Sequence, residues 1–170
     1  GIRLAATVMG SKEDMLANAD FLQTTLQAKG IYTFWEQWRL IGRSEIGTTL
    51  VDDIYAIPPS LRFYAGGDQS VRGYGYKKIA PTDDEGNLLG GKNLLTYSLE
   101  VERNLIEQWS GAVFYDSGTV SDTFAGGTMH SGAGVGLRWN GIFGQIRLDL
   151  AKALDEEGSW RIHFTMGADL

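Results

Sequence analysis

From residue 94 onward, nearly every second residue is apolar and the residues between them are not. Leu95, Tyr97, Leu99 and Val101 alternate with Thr96, Ser98, Glu100 and Glu102. Over 110–118, Gly111, Val113 and Tyr115 oppose Ala112, Phe114 and Asp116, and over 131–139, Ala133, Val135, Leu137 and Trp139 oppose three glycines and Arg138. The same rule holds over 142–150 and 160–170, where Trp160, Ile162, Phe164, Met166, Ala168 and Leu170 face away from Arg161, His163, Thr165, Gly167 and Asp169. A helix repeats every 3.6 residues and cannot sustain a period of two, so these five runs predict strands. Weaker alternation over 2–9 and 39–50 adds two more. The stretch from Ser11 to Lys29 fits either a helical stripe (Met15, Ala19, Leu22, Leu26) or a strand; a strand over about 21–34 is preferred, giving about eight in all.

The polar face of these runs is not an ordinary solvated surface. It mixes glycine with Arg, Glu and Asp, whereas the apolar face ends in aromatic residues. An all-β, antiparallel transmembrane barrel segment, with hydrocarbon outside and a polar lumen inside, accounts for both faces. Connection lengths point the same way. Short links at 35–38, 104–109 and Asn140-Gly141 alternate with long ones at 10–20, 51–92, 118–129 and 152–158. Trp35, Trp38, Trp109 and Trp139 all lie by the short links, where amphipathic rings would form an interfacial girdle. A soluble β-sandwich with tryptophans near its turns is the alternative that pattern alone leaves open.

Composition narrows the class further. A net charge of −6 opposes a nucleic-acid surface, and an absence of cysteine removes disulfides and thiolate metal sites. No apolar run is long enough for a transmembrane helix, a test that strands escape. The opening Gly1-Ile2-Arg3-Leu4 has no signal-peptide features and reads as the inside of a strand, so a fragment of a longer protein is expected.

The long link 51–92 holds all three prolines and the densest chemistry. Within it, Gly66 and Gly67 permit a tight fold, and Val71-Arg72-Gly73-Tyr74 sets a fixed positive charge between apolar groups. Glu100 and Asp116 fall on the polar face by parity and are the candidate partners of Arg72. Spacing alone favours a solvated loop arginine over a clamped one.

Residues 62–81, with their Gly-Gly-Asp-Gln-Ser-Val-Arg-Gly-Tyr core, resemble the sixth extracellular loop of the BamA/TamA superfamily of outer-membrane assembly barrels. Ser98-Leu99-Glu100 and Phe114-Tyr115-Asp116-Ser117-Gly118 are similar to that family's twelfth- and thirteenth-strand motifs. The Arg62-Phe63-Tyr64-Ala65-Gly66-Gly67 opening, Tyr74 after Arg-Gly, and an ending in Leu170 rather than Phe resemble the TamA branch.

The resemblance implies that residues 1–170 are the C-terminal part of the barrel (bacterial surface antigen type), strands nine to sixteen of sixteen. It also implies that the loop 51–92 folds into the lumen, where Arg72 meets Glu100 and Asp116. The last strand, 159–170, would border a lateral gate for nascent β-proteins and carry a terminal signal at Phe164, Met166, Gly167 and Leu170. The implied partners are the lipid bilayer, nascent outer-membrane and autotransporter proteins, and a TamB-like inner-membrane protein reached through periplasmic domains absent from this sequence. The implied location is the bacterial outer membrane. A two-partner secretion transporter of the same superfamily is the second reading. Eight strands alone would close on a lumen too narrow for the loop, so half of a larger barrel, an open sheet completed by another chain, or a small barrel with its loop expelled are all open.

No cofactor, metal site or enzymic constellation is expected. Residues 86–93 approach a phosphate loop but place Asn93 where Ser or Thr belongs. Residues 83–87 look faintly calcium-like without a calcium-loop register. His130 and His163 have no partner ligand in sequence. Gly167 could permit a kink in the last strand or simply pack.

Overall fold

The computed structural model describes residues 1–12, 20–123, 126–142, 144–156 and 160–167. Among these lie eight strands: β1 (Ile2–Ser11), β2 (Phe21–Phe34), β3 (Trp38–Leu50), β4 (Asn93–Ile106), β5 (Trp109–Ser121), β6 (His130–Gly141), β7 (Gly144–Ala153) and β8 (Trp160–Gly167). They form one sheet in the order β1 to β8, every neighbour antiparallel. A single sheet, with no second one packed over it among the described residues, removes the sandwich alternative. Among the described residues β1 and β8 are not paired with each other, so the sheet is open between them and the small closed barrel is removed as well. No described helix is long and apolar enough to cross a membrane.

Strand β2 covers the region where the sequence also fits a helix; residues 13–19 of that choice lie outside the described residues, as do Ala168, Asp169 and Leu170. One turn sits elsewhere than expected. Asn140-Gly141 does not turn the chain: β6 continues through both residues, Asn140 opposite Gln145 and Gly141 opposite Gly144. Gln145 donates a side-chain hydrogen bond to Asn140 at 2.9 Å, which fixes that pair in the ladder, and the reversal falls beyond it, with Ile142 at the tip.

Parity is obeyed from β4 to β8. Leu99, Val113, Val135, Leu148, Ile162 and Phe164 stand exposed on one face, while Glu100, Phe114, Asp116, Arg138, Asp149 and His163 are buried on the other. What buries the polar face is the long loop. It is framed by single bridges between Phe63 and Gly91, Ala65 and Ile79, and Thr82 and Leu88. Arg62 ties its base, donating to the carbonyls of Ile57 at 2.9 Å and Leu89 at 3.0 Å. Lys92 donates to the carbonyls of Val51 and Asp52, and Gln23 of β2 to that of Leu61. Under the loop, Ala65, Val71, Tyr74 and Ile79 pack on Leu94, Val120 and Ala153 of the sheet. These few apolar contacts hold the segment down, the buried Val71, Ile79, Leu94 and Val120 side chains contributing about 1.5–3 kcal/mol each.

Candidate functional site: an arginine clamp on the polar face

The loop tip is built from glycines at left-handed backbone angles. Gly66, Gly67 and Gly73 have φ of 98°, 103° and 97°. The turn closes through Gly67 N–H to the Val71 carbonyl at 3.2 Å and Ser70 N–H to the Gly67 carbonyl at 3.1 Å. It delivers Val71 into the small core and Arg72 onto the sheet, both essentially without solvent contact. The approach is backbone-close. A Cβ at Gly132 of β6 would lie 1.8 Å from the Arg72 carbonyl oxygen, and one at Gly73 would lie 2.7 Å from the Ala153 amide nitrogen. Only glycine at these two positions leaves room for the tip.

Arg72 uses its whole fork. Its Nε donates to Asp116 at 2.7 Å and one terminal nitrogen to the other Asp116 oxygen at 3.0 Å, a bidentate pair. Its backbone N–H also donates to Asp116, at 3.1 Å. The other terminal nitrogen donates to Glu100 at 2.7 Å and to Asp149 at 2.9 Å. The guanidinium carbon lies 3.4 Å from the centroid of the Phe114 ring, whose face attracts a cation. Burial disfavours the charged guanidinium, but the hydrogen bond and charge of Asp116, then the charges of Glu100 and Asp149, outweigh it and hold the group above an ordinary arginine. Arg72 is a permanent cation here.

The sequence brought Glu100 and Asp116 to this residue; it did not bring Asp149 or Arg138. Arg138 of β6 is fully buried and donates to Glu100 at 2.8 Å and to Asp149 at 2.5 Å. Arg72, Glu100, Arg138 and Asp149 therefore close a ring of alternating charge, each acid held by both arginines. Glu102 adjoins it, 3.4 Å from Arg138 and 3.2 Å from Arg39. Arg43 donates to Ser98 at 3.1 Å, and Arg72 also reaches Ser98 at 3.4 Å. Parity does place Arg138, Asp149 and Ser98 on the polar face. Their depth under the loop is what no local pattern carries.

The remaining expected residues divide by location. Tyr74 is buried and donates to Asp155 at 2.9 Å, and Asp155 also accepts from the Ser131 amide at 2.7 Å. Burial first, then Asp155, pushes the Tyr74 phenol above its ordinary range. Phe164 and Met166 are exposed on the apolar face of β8, away from the clamp, and Leu170 lies outside the described residues. A Cβ at Gly167 would meet open space, so packing gives no reason for a glycine there. Trp109 and Trp139 are register partners, and Trp139 donates to Gln108 at the turn beyond them; Trp38 begins β3 and carries Arg103 over its ring, with Trp35 beside it at the same end of the sheet. Among the described residues no group of three metal-ligating side chains converges. The calcium-like stretch is a turn: the Asp83 carboxylate accepts from the amides of Glu85 and Asn87 and from the Asn87 side chain. His163 does have partners, Asp68 and Gly73 of the loop.

The Omp85 superfamily domain matches residues 2–170. The outer membrane protein assembly factor BamA of Nitratidesulfovibrio vulgaris (strain Hildenborough) is 28% identical over 160 residues, covering 87% of this chain and 20% of that protein. The crystal structure of BamA from Haemophilus ducreyi lacking POTRA domains 1–3 shares the fold with a TM-score of 0.68 at 19% identity, over 86% of this chain and 34% of that one. The chain thus spans about a fifth of the curated relative and a third of the solved one. With an all-β sheet like that of the BamA barrel and a domain match along nearly its whole length, the chain belongs to the Omp85 superfamily of outer-membrane β-barrel proteins.

Proposed function

We propose that these strands form the C-terminal half of a sixteen-stranded transmembrane barrel that assembles other outer-membrane proteins, autotransporters among them, as a member of the TamA branch. The observation that carries this is the sheet itself: one apolar exposed face, one charged face occupied by a clamped loop, and an unpaired edge at β8. Lipid would meet Leu99, Val113 and Val135, with Trp35, Trp38, Trp109 and Trp139 as the interfacial girdle at one rim. The open edge presents unpaired backbone donors and acceptors, which an incoming strand can complete by β-augmentation. The work is templating, with no covalent chemistry. The loop braces the barrel through Val71, Arg72, Gly73 and Tyr74, and Phe164, Met166, Gly167 and Leu170 carry the last-strand signal and gate. The TamA assignment draws support from the loop opening at Arg62, Tyr74 after Arg-Gly, and the terminal Leu170. It brings with it a TamB-like partner engaged through periplasmic domains outside these residues.

Photocrosslinkers placed at Ile162 and Phe164 in the full protein, with an autotransporter client in transit, test the reading. Crosslinks of β8 to the client strand are expected. Their absence, with channel conductance rising when 62–81 are deleted, would instead support a two-partner secretion transporter that passes its cargo through the lumen.

A further inference from the structure

Strand β8 is held by little. Over its described residues it pairs with one neighbour, β7, from Gln145 opposite Gly167 to Lys152 opposite Trp160. Of its eight residues only His163 is buried; Ile162 and Phe164 on either side are 73% and 62% exposed. That buried side chain reaches the loop rather than the sheet. Its Nε2 accepts the Gly73 amide hydrogen at 3.0 Å, which requires that nitrogen to be unprotonated. The ring proton therefore sits on Nδ1, where it is donated to the Asp68 carboxylate.

The cross-strand partner of His163 is Asp149, but both oxygens of that carboxylate are taken, one by Arg138 and one by Arg72. The imidazole is left to bridge two points of the loop tip. Asp68 is presented by the same tight turn that presents Arg72, closed by the Gly67–Val71 and Ser70–Gly67 bonds. Arg72 anchors the tip to β4, β5 and β7; His163 carries that anchorage one strand further, to the edge.

We infer that His163 is a positioning residue, a hook by which the loop tip sets how firmly the edge strand β8 is held against β7. The inference rests on the proposed role of β8 as the seam for its functional meaning, but the hook has its own readout. Releasing the tip frees β8 without breaking any ladder hydrogen bond in β4 to β7.

The test is hydrogen–deuterium exchange of the full protein in lipid nanodiscs, comparing wild type with His163→Ala, Asp68→Ala, the double variant and His163→Gln. Exchange over 160–167 is expected to quicken about tenfold in His163→Ala, the effect of losing one to two hydrogen bonds, with 93–106 unchanged. Asp68→Ala should give part of that increase, and adding it to His163→Ala should give no further increase, because both remove one contact. His163→Gln, whose Oε1 can still accept from Gly73, should recover part of the protection. Should His163→Ala fail to insert, Asp68→Ala supplies the same readout from the loop side. Unchanged exchange at 160–167 in the single variants overturns the hook, as does strict additivity of the two. Missing wild-type crosslinks from β8 to client would overturn the seam reading and leave the exchange result standing.

Discussion

Arg72 satisfies three carboxylates from three strands, and the strength of that arrangement lies in what its loss would strand. Removing it leaves Asp116 buried without its bidentate partner and takes from Glu100 and Asp149 one of the two arginines that hold each. Breaking a buried pair in this way costs roughly 3–5 kcal/mol. Arg72→Ala is therefore expected to undock the tip, read as proteolytic cleavage within 62–81 while the strands persist. Arg72→Lys should rescue little, because one ammonium cannot serve Asp116 bidentately and also reach Glu100 and Asp149. At Gly132 the argument is steric. An added methyl meets the Arg72 carbonyl at 1.8 Å, well inside contact, so Gly132→Ala should displace the tip at a cost of about 1–3 kcal/mol and reproduce the cleavage of Arg72→Ala with every charge intact.

At the scale of elements, the loop is a framed structure and not a tether. Its outer turn at 83–87 is organised by Asp83, whose carboxyl is held below the ordinary range first by the Asn87 side chain and then by the Asn87 and Glu85 amides. A carboxyl lowered on folding favours the folded turn above its unfolded pKa, and that favour is lost as pH falls through the lowered value. The Asn87 amide resonance should accordingly move as pH is lowered from about 5 to about 2, and Asp83→Asn should abolish the pH dependence. Strand existence was legible in sequence because alternation is local; the preferred strand at 21–34 matches β2, and Glu100 and Asp116 are found on the polar face. The turn near 140 was misplaced because Asn-Gly is a turn pair only where the ladder ends, and cross-strand pairing of Asn140 with Gln145 carries the ladder past it. The contacts of Arg138, Asp149 and His163 with the loop and clamp escaped the sequence for another reason. Parity assigns a face, yet how far across the sheet the loop extends depends on contacts 77 and 90 residues apart, which no short window contains.

For the whole molecule, the two faces make opposite forecasts. Because the sequence has no cysteine, single cysteines report without background. In liposomes, cysteines at Leu99, Val113 and Val135 should resist a charged thiol reagent and quench a lipid-borne fluorophore. A cysteine at Thr165, on the other face of β8, should do neither of these things. Equal labelling of both sets would remove the hydrocarbon from the outer face. The proposed barrel half is the level least visible in sequence: eight runs of alternation are equally those of a small closed barrel, and only the missing β1–β8 pairing separates them.

The clamp also imposes an order on events. Its arginine lies 28, 44 and 77 residues before its three acids, and Gly73 lies 90 residues before the imidazole that accepts from it. Each of those separations is a long closure that must be made before the contact returns anything. A polypeptide delivered from its N-terminus cannot fully seat this tip until residue 163 has arrived. The docked loop is thus a late signature of folding, and a chain truncated after residue 140 should carry an undocked tip even if its earlier hairpins are native.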